Sequence, residues 1–132
     1  MKYMLDTNIV SYFFRKNETV LAKLNAISLE NLCISSITAA ELIYGAEKRK
    51  NAKLSEMVAL FLASMEIYDW NYVVAQRYGK LRAELEKSGN VMGNLDLMIA
   101  AHALSQNCIL VTNDNAFQMI QNLNIENWTL MK

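Results

Sequence analysis

Four apolar runs in this chain, at residues 2–5, 32–35, 65–68 and 108–111, have the length of buried β-strands, and every gap between them can hold a helix. Strands that alternate with helices build a mainly parallel sheet covered on both faces, a three-layer α/β/α arrangement. A further edge strand at residues 128–131 brings the expected sheet to about five strands. The chain has 132 residues, enough for one hydrophobic core and too few for two, so residues 1–132 read as a single domain.

The helices follow from apolar spacing, because the chain has no proline and only 4 glycines to punctuate it. Ile9, Tyr12, Phe13 and Phe14 fit one helix, and Val20, Leu21, Leu24 and Ile27 a second. Thr38, with Glu41 three positions on, has the spacing of a capping box and places a helix start there. Leu54, Val58, Leu60 and Phe61 fit another helix. Val73, Val74, Tyr78, Leu81 and Leu85 form a long amphipathic stripe that Gly89 ends. A helix opens at Asp96 and carries Leu97 to Leu104, and a short one covers 116–120.

Composition excludes several classes. Thirteen acids balance thirteen bases, so any nucleic-acid contact must come from a local basic patch. The richest candidates are Lys48-Arg49-Lys50 with Lys53, and Arg77, Lys80, Arg82 and Lys87; Arg15 and Lys16 lie at the end of the first helix. Cys33 and Cys108 each sit in an apolar run, as buried free thiols do, and have no metal-ligand spacing. No apolar run spans a bilayer and Asp6 interrupts the first one too early for a signal peptide, so a cytoplasmic protein is expected, with no membrane association.

Four acids stand out by placement. Asp6 ends the first strand and Asp114 follows the fourth. Glu41 lies near the start of the helix after the second strand, and Asp96 at the start of the helix before the fourth. Right-handed crossovers bring such points to one rim of the sheet, where α/β folds bind ligands. Oxygen donors of this kind suit Mg²⁺ or Mn²⁺, and a cation so held supports phosphodiester hydrolysis. Taken singly, Glu41 also reads as a capping partner, Asp96 as a helix N-terminal acid and Asp114 as a turn residue.

The segments Leu5-Asp6-Thr7-Asn8, Ser35-Ser36-Ile37-Thr38 leading to Glu41-Leu42-Ile43-Tyr44-Gly45, Asp96-Leu97-Met98-Ile99-Ala100-Ala101-His102-Ala103, and Leu110-Val111-Thr112-Asn113-Asp114 together resemble the PIN-domain family. Within it the chain looks like the VapC-type toxin ribonucleases of bacterial toxin–antitoxin modules, and the resemblance runs through Ile125-Glu126-Asn127-Trp128. It implies a PIN-like fold and a Mg²⁺- or Mn²⁺-dependent endoribonuclease with catalytic Asp6, Glu41, Asp96 and Asp114. Asp6 and Asp96 would bind metal directly, with Asn8 and Thr112 as supporting residues. The implied partners are a cognate antitoxin, an RNA substrate (initiator tRNA in its anticodon loop, by analogy) and a second copy of the chain. A hetero-oligomer of toxin and antitoxin able to bind operator DNA is implied as well. The loop Gly89-Asn90-Val91-Met92-Gly93-Asn94 departs from close relatives, which often carry proline there.

Two other classes fit less well. A receiver domain would need paired acids after the first strand and a lysine after the last core strand. A haloacid-dehalogenase-like phosphatase would need an acid where Asn8 stands. A catalytically silent PIN-like scaffold is the third alternative, and possession of all four acids counts against it. His102, the only histidine, lies on an apolar helix and reads as structural. Tyr12, Phe13 and Phe14, with the helix at residues 54–61, are expected to border a groove for a partner helix.

Overall fold

The computed structural model describes residues 1–130. Strand β1 (Tyr3–Leu5) leads into helix α1 (Thr7–Phe14) and then α2 (Glu18–Ala26). Strand β2 (Leu32–Ser35) is followed by α3 (Ser36–Arg49) and α4 (Ala52–Ser64), and β3 (Glu66–Tyr68) by α5 (Tyr72–Lys87) and α6 (Asn94–Ser105). Strand β4 (Ile109–Val111), a 3-10 turn at Asn115–Met119 and β5 (Ile125–Glu126) complete the order.

The strands form one sheet in the order β3-β2-β1-β4-β5, with every neighbouring pair parallel. The first strand is therefore central. After β1 the chain adds strands outward to β3, then returns to the other side of β1 for β4. The strand order reverses between β1 and β4, and in open α/β sheets such a switch point opens a crevice beyond the strand ends.

Alternation along the strands divides the core in two. Leu5, Leu32, Ile34 and Val111 face a layer that includes Ile9, Val10, Val20, Leu42, Val58 and Phe61. Met4, Cys33 and Leu110 face the opposite layer, with Leu85, Leu97, Ile99 and Phe117. Residues inside a central parallel sheet are buried on both faces, which is why these strands read as continuous apolar runs. On the first face Phe13, Phe14 and Phe61 meet with ring centroids 5.6–5.8 Å apart, fastening α1 to α4.

Two sequence expectations are corrected. The capping box at Thr38 and Glu41 is not formed, because β2 runs straight into α3 and Ser35 is the cap, its hydroxyl accepting from the Ile37 N–H at 3.0 Å. Thr38 is buried inside the helix, and Glu41 stands one turn further from the helix start than expected. The edge strand is Ile125–Glu126, paired with Leu110 and Val111, rather than residues 128–131. Trp128 lies in a turn and is buried against Tyr3, its centroid 5.5 Å from that ring; Met131 lies outside the described residues. Among the described residues no helix is long and apolar enough to cross a membrane.

Candidate active site

Asp6 has two local roles before any chemistry is considered. It is the first residue beyond β1, with its N–H donating to the Val111 carbonyl at 2.9 Å, and it caps α1. Its Oδ1 accepts from the Thr7 N–H at 2.8 Å, and its Oδ2 accepts from the Thr112 hydroxyl at 2.8 Å. The residue is only 3% exposed. Its pKa is raised to about 6, with burial the largest cause and the charges of Asp96 and Glu41 adding to it, while the hydrogen bonds from Thr112 and Thr7 pull against the rise.

Thr112 connects two acids. Besides donating to Asp6, its hydroxyl oxygen accepts from the Asp114 N–H at 3.1 Å. Asp114 in turn caps the 3-10 turn, with Oδ1 accepting from the Ala116 N–H at 2.9 Å. On the other side Thr7 donates from its hydroxyl to Glu41 Oε1 at 2.7 Å. Asp96 lies in the first turn of α6, where the helix N-terminus favours a negative charge. Its pKa is raised, mainly by partial burial and then by the charges of Asp114 and Glu41.

The four acids singled out from the sequence thus gather at the switch point between β1 and β4, where Asp6 feels the charges of Asp96 and Glu41, and Asp96 those of Asp114 and Glu41. Thr112 sits among them. Asn8 is exposed, and the hydrogen bonds that hold Asp6 come from Thr7 and Thr112 instead. Thr7 is the residue that sequence reasoning passed over. A hydroxyl immediately after an acid that ends a strand and caps a helix was the available signal.

A second buried polar contact ties the elements that carry these acids. His102 Nδ1, on α6, is 2.8 Å from Ser35 Oγ at the cap of α3, and both residues are fully buried. Trp70 adds a strap, its indole N–H donating to the Met98 carbonyl at 2.9 Å and its backbone N–H to Ser36 Oγ at 3.0 Å.

Among the described residues no three His, Cys, Asp or Glu side chains converge on one metal position. Mg²⁺ does not require three, since it is commonly held by one or two carboxylates and keeps several waters. A buried carboxylate whose charged form is disfavoured by two neighbouring acids is a hard-oxygen donor that gains from a cation. The donor set fits such a group.

An acid-edged switch point in a parallel three-layer sheet defines the class to which the comparisons assign the chain. The PIN domain family matches residues 3–123. Ribonuclease VapC2 of Rickettsia felis is 44% identical over 137 residues, covering 97% of this chain and 98% of that protein. The tRNA(fMet)-specific endonuclease VapC of Shigella flexneri is 34% identical, covering 98% of this chain and 99% of that protein. The crystal structure of VapBC2 from Rickettsia felis bound to a promoter DNA fragment superposes with TM-score 0.88 at 41% identity, covering 97% of this chain and 99% of that one. DNA-bound VapBC from Salmonella typhimurium superposes with TM-score 0.88 at 38% identity, covering 97% and 98%. The chain belongs to the PIN-domain family and, within it, to the VapC-type ribonucleases. Nucleases of this family generally use divalent metal ions.

Proposed function

We propose that this chain is the toxin of a toxin–antitoxin module, a cytoplasmic endoribonuclease that hydrolyses RNA phosphodiester bonds with Mg²⁺ or Mn²⁺. The observation that carries the reading is the joined set Asp6–Thr112–Asp114, charge-coupled through Asp6 and Asp96 to Glu41. Asp6 and Asp96 would hold the cation, and Glu41 and Asp114 would act through water. When bound, the cation lowers the pKa of water and offsets charge on the scissile phosphate.

The chain's own groups do the rest. Thr7 and Thr112 fix both oxygens of Asp6, so its carboxylate presents one orientation. Thr7 also occupies Glu41 Oε1, which leaves Oε2 to accept a proton from the attacking water. Asp114 is held by the Ala116 N–H and would position water at the rim.

Initiator tRNA is the substrate we favour, by analogy with the Shigella flexneri relative named for it. The relatives solved as VapBC complexes, one with a promoter DNA fragment and one bound to DNA, support a cognate antitoxin and operator binding by the hetero-oligomer; a homodimer is part of the same reading. The test is cleavage of a total tRNA pool. Cleavage is expected with Mg²⁺ or Mn²⁺ and should vanish with EDTA or in Asp6→Asn. Cleavage that survives both treatments would sink the metal mechanism, and ends that map only to mRNA or rRNA would overturn the tRNA assignment.

A further inference from the structure

Helix α1 grips the loop after β4 at two points. At its start, the Asp6 carboxylate accepts from the Thr112 hydroxyl. Six residues further on, the Tyr12 hydroxyl accepts from Asn113 Nδ2 at 3.1 Å, across 101 positions of sequence. At 1.5 Å per residue the two points stand about 9 Å apart along the helix. Tyr12 does not take the place expected of it at the border of a partner groove. The groove between α1, α3 and α4 beside Glu41 is lined by Phe14, Leu54, Met57 and Val58 but not by Tyr12, whose hydroxyl meets the loop instead.

We propose that Tyr12 is a positioning residue of the candidate site, its hydroxyl fixing through Asn113 the orientation of the turn that carries Asp114; the effect on cleavage rests on the ribonuclease reading above. A single hydrogen bond leaves a loop free to swivel about it, and a second contact at a distance removes that rotation. Thr112 is tied to the sheet, its N–H donating to the Glu126 carbonyl at 2.9 Å. Phe117, buried in the core, ties down the far end of the turn.

Between those ends the turn bonds mostly to itself. The Asp114 N–H donates to the Thr112 hydroxyl, the Ala116 N–H to the Asp114 carboxylate and the Phe117 N–H to the Asp114 carbonyl. Among the described residues, the Asn113 amide makes the one side-chain hydrogen bond from residues 113–117 to another element. Its acceptor is a firm one. The Tyr12 ring packs on the core layer that holds Ile9 and Val10, and the Arg15 guanidinium lies 4.6 Å from its centre. Asn113 is joined to Asp114 by a peptide bond, so a swing at the first displaces the carboxylate of the second. Phenylalanine at position 12 keeps the ring and its packing and deletes only the bond.

The test combines amide hydrogen exchange with cleavage kinetics on the full chain, in Tyr12→Phe, Asn113→Ala and the double variant. The Asp114 and Ala116 amides, whose acceptors lie within the turn, should exchange about fivefold faster in Tyr12→Phe, with the amides of β1 and β4 unchanged. Cleavage of a total tRNA pool with Mg²⁺ should lose about fivefold in kcat with KM little altered. In the Asn113→Ala background Tyr12→Phe should add nothing. A merely structural bond would lower the denaturant midpoint and leave kcat in place. Exchange at Asp114 and Ala116 as slow as in the unaltered chain would overturn the proposal, and so would faster exchange with kcat unchanged. If the unaltered chain cleaves no RNA, the ribonuclease reading falls, and the exchange rates still decide whether Tyr12 orients the turn.

Discussion

The Thr112 hydroxyl reaches the Asp6 carboxylate at 2.8 Å across 106 positions of sequence, and its hydrogen bond opposes the protonation that burial imposes on that acid. Thr112→Val removes the donor and raises the Asp6 pKa further. The acid limb of the pH–rate profile should move to higher pH, with activity near pH 6 down by about tenfold. Thr112→Ser should restore the limb. A profile unchanged in the valine variant would show that Thr112 has no hold on Asp6.

Asp6 also sets a pH dependence of stability. The folded chain keeps its proton up to about pH 6, whereas the unfolded chain releases it near 3.8. Between those values the folded state binds more protons, so stability falls as pH rises through the window, by about 3 kcal/mol at most. Asp96 acts in the same direction. Denaturant melts without divalent cations should show this fall in the unaltered chain and a smaller one in Asp6→Asn. Added Mg²⁺ should raise the midpoint near neutral pH in the former far more than in the latter.

Thr7 holds two acids at once, through its N–H to Asp6 and its hydroxyl to Glu41. Thr7→Val keeps the backbone contact and deletes the second. A drop of about tenfold in kcat is expected with the fold intact, and Thr7→Ser should recover it. Equal kcat in both variants would mean that Glu41 does not depend on this bond.

The Ser35–His102 contact predicts a stability effect with the opposite pH sign to Asp6. Burial lowers the His102 pKa, only partly offset by Asp69, and Nε2 is buried with no partner among the described residues. The unfolded chain takes up a proton below about pH 6.5 that the folded one resists, so this contribution is present above that pH and lost as pH falls. Ser35→Ala removes both the α3 cap and the partner of Nδ1, a destabilisation of about 2–4 kcal/mol in chemical denaturation.

Cys33 and Cys108 approach to 4.0 Å between sulfurs on either side of β1, and both are buried free thiols. Hydrogen bonding to Cys108 and burial push the Cys33 thiol up, away from the reactive thiolate. A thiol-specific reagent should therefore label Cys33 only as fast as the chain unfolds. Rapid labelling under native conditions would contradict this burial.

Much of the fold was legible because central parallel strands must be apolar on both faces. Leu32–Ser35 was delimited from sequence to the residue, and the helices of Tyr72–Lys87 and Ala52–Ser64 followed from their stripes. The two-residue β5 was not, because it is defined by backbone pairing with Leu110 and Val111, which leaves no periodic trace. Trp128 misled for a related reason: its bulk serves the core beneath Tyr3 and not a strand. The helix start at Ser36 was missed because β2 enters α3 without a loop, and Thr38 offered a competing cap. The four acids were visible through their positions at element ends. The groove beside Glu41 was legible in part, since Phe14 and the helix at residues 54–61 were expected to border one and Phe14, Leu54, Met57 and Val58 line it; the share of α3 in its wall, from Glu41 to Arg49, left no such trace.

The central place of β1 bears on when activity can arise during synthesis. The first strand leaves the ribosome early, yet one flank of it is closed by β4, and Asp6 gains its Thr112 partner only near the end of the chain. A nascent chain that stops before Cys108 has Asp6, Glu41 and Asp96 but neither Thr112 nor Asp114 to complete the rim. Segments far apart in sequence must therefore both be in place before the rim exists, and a break anywhere between Asp6 and Thr112 that lets β4 leave β1 undoes the carboxylate's second hydrogen bond.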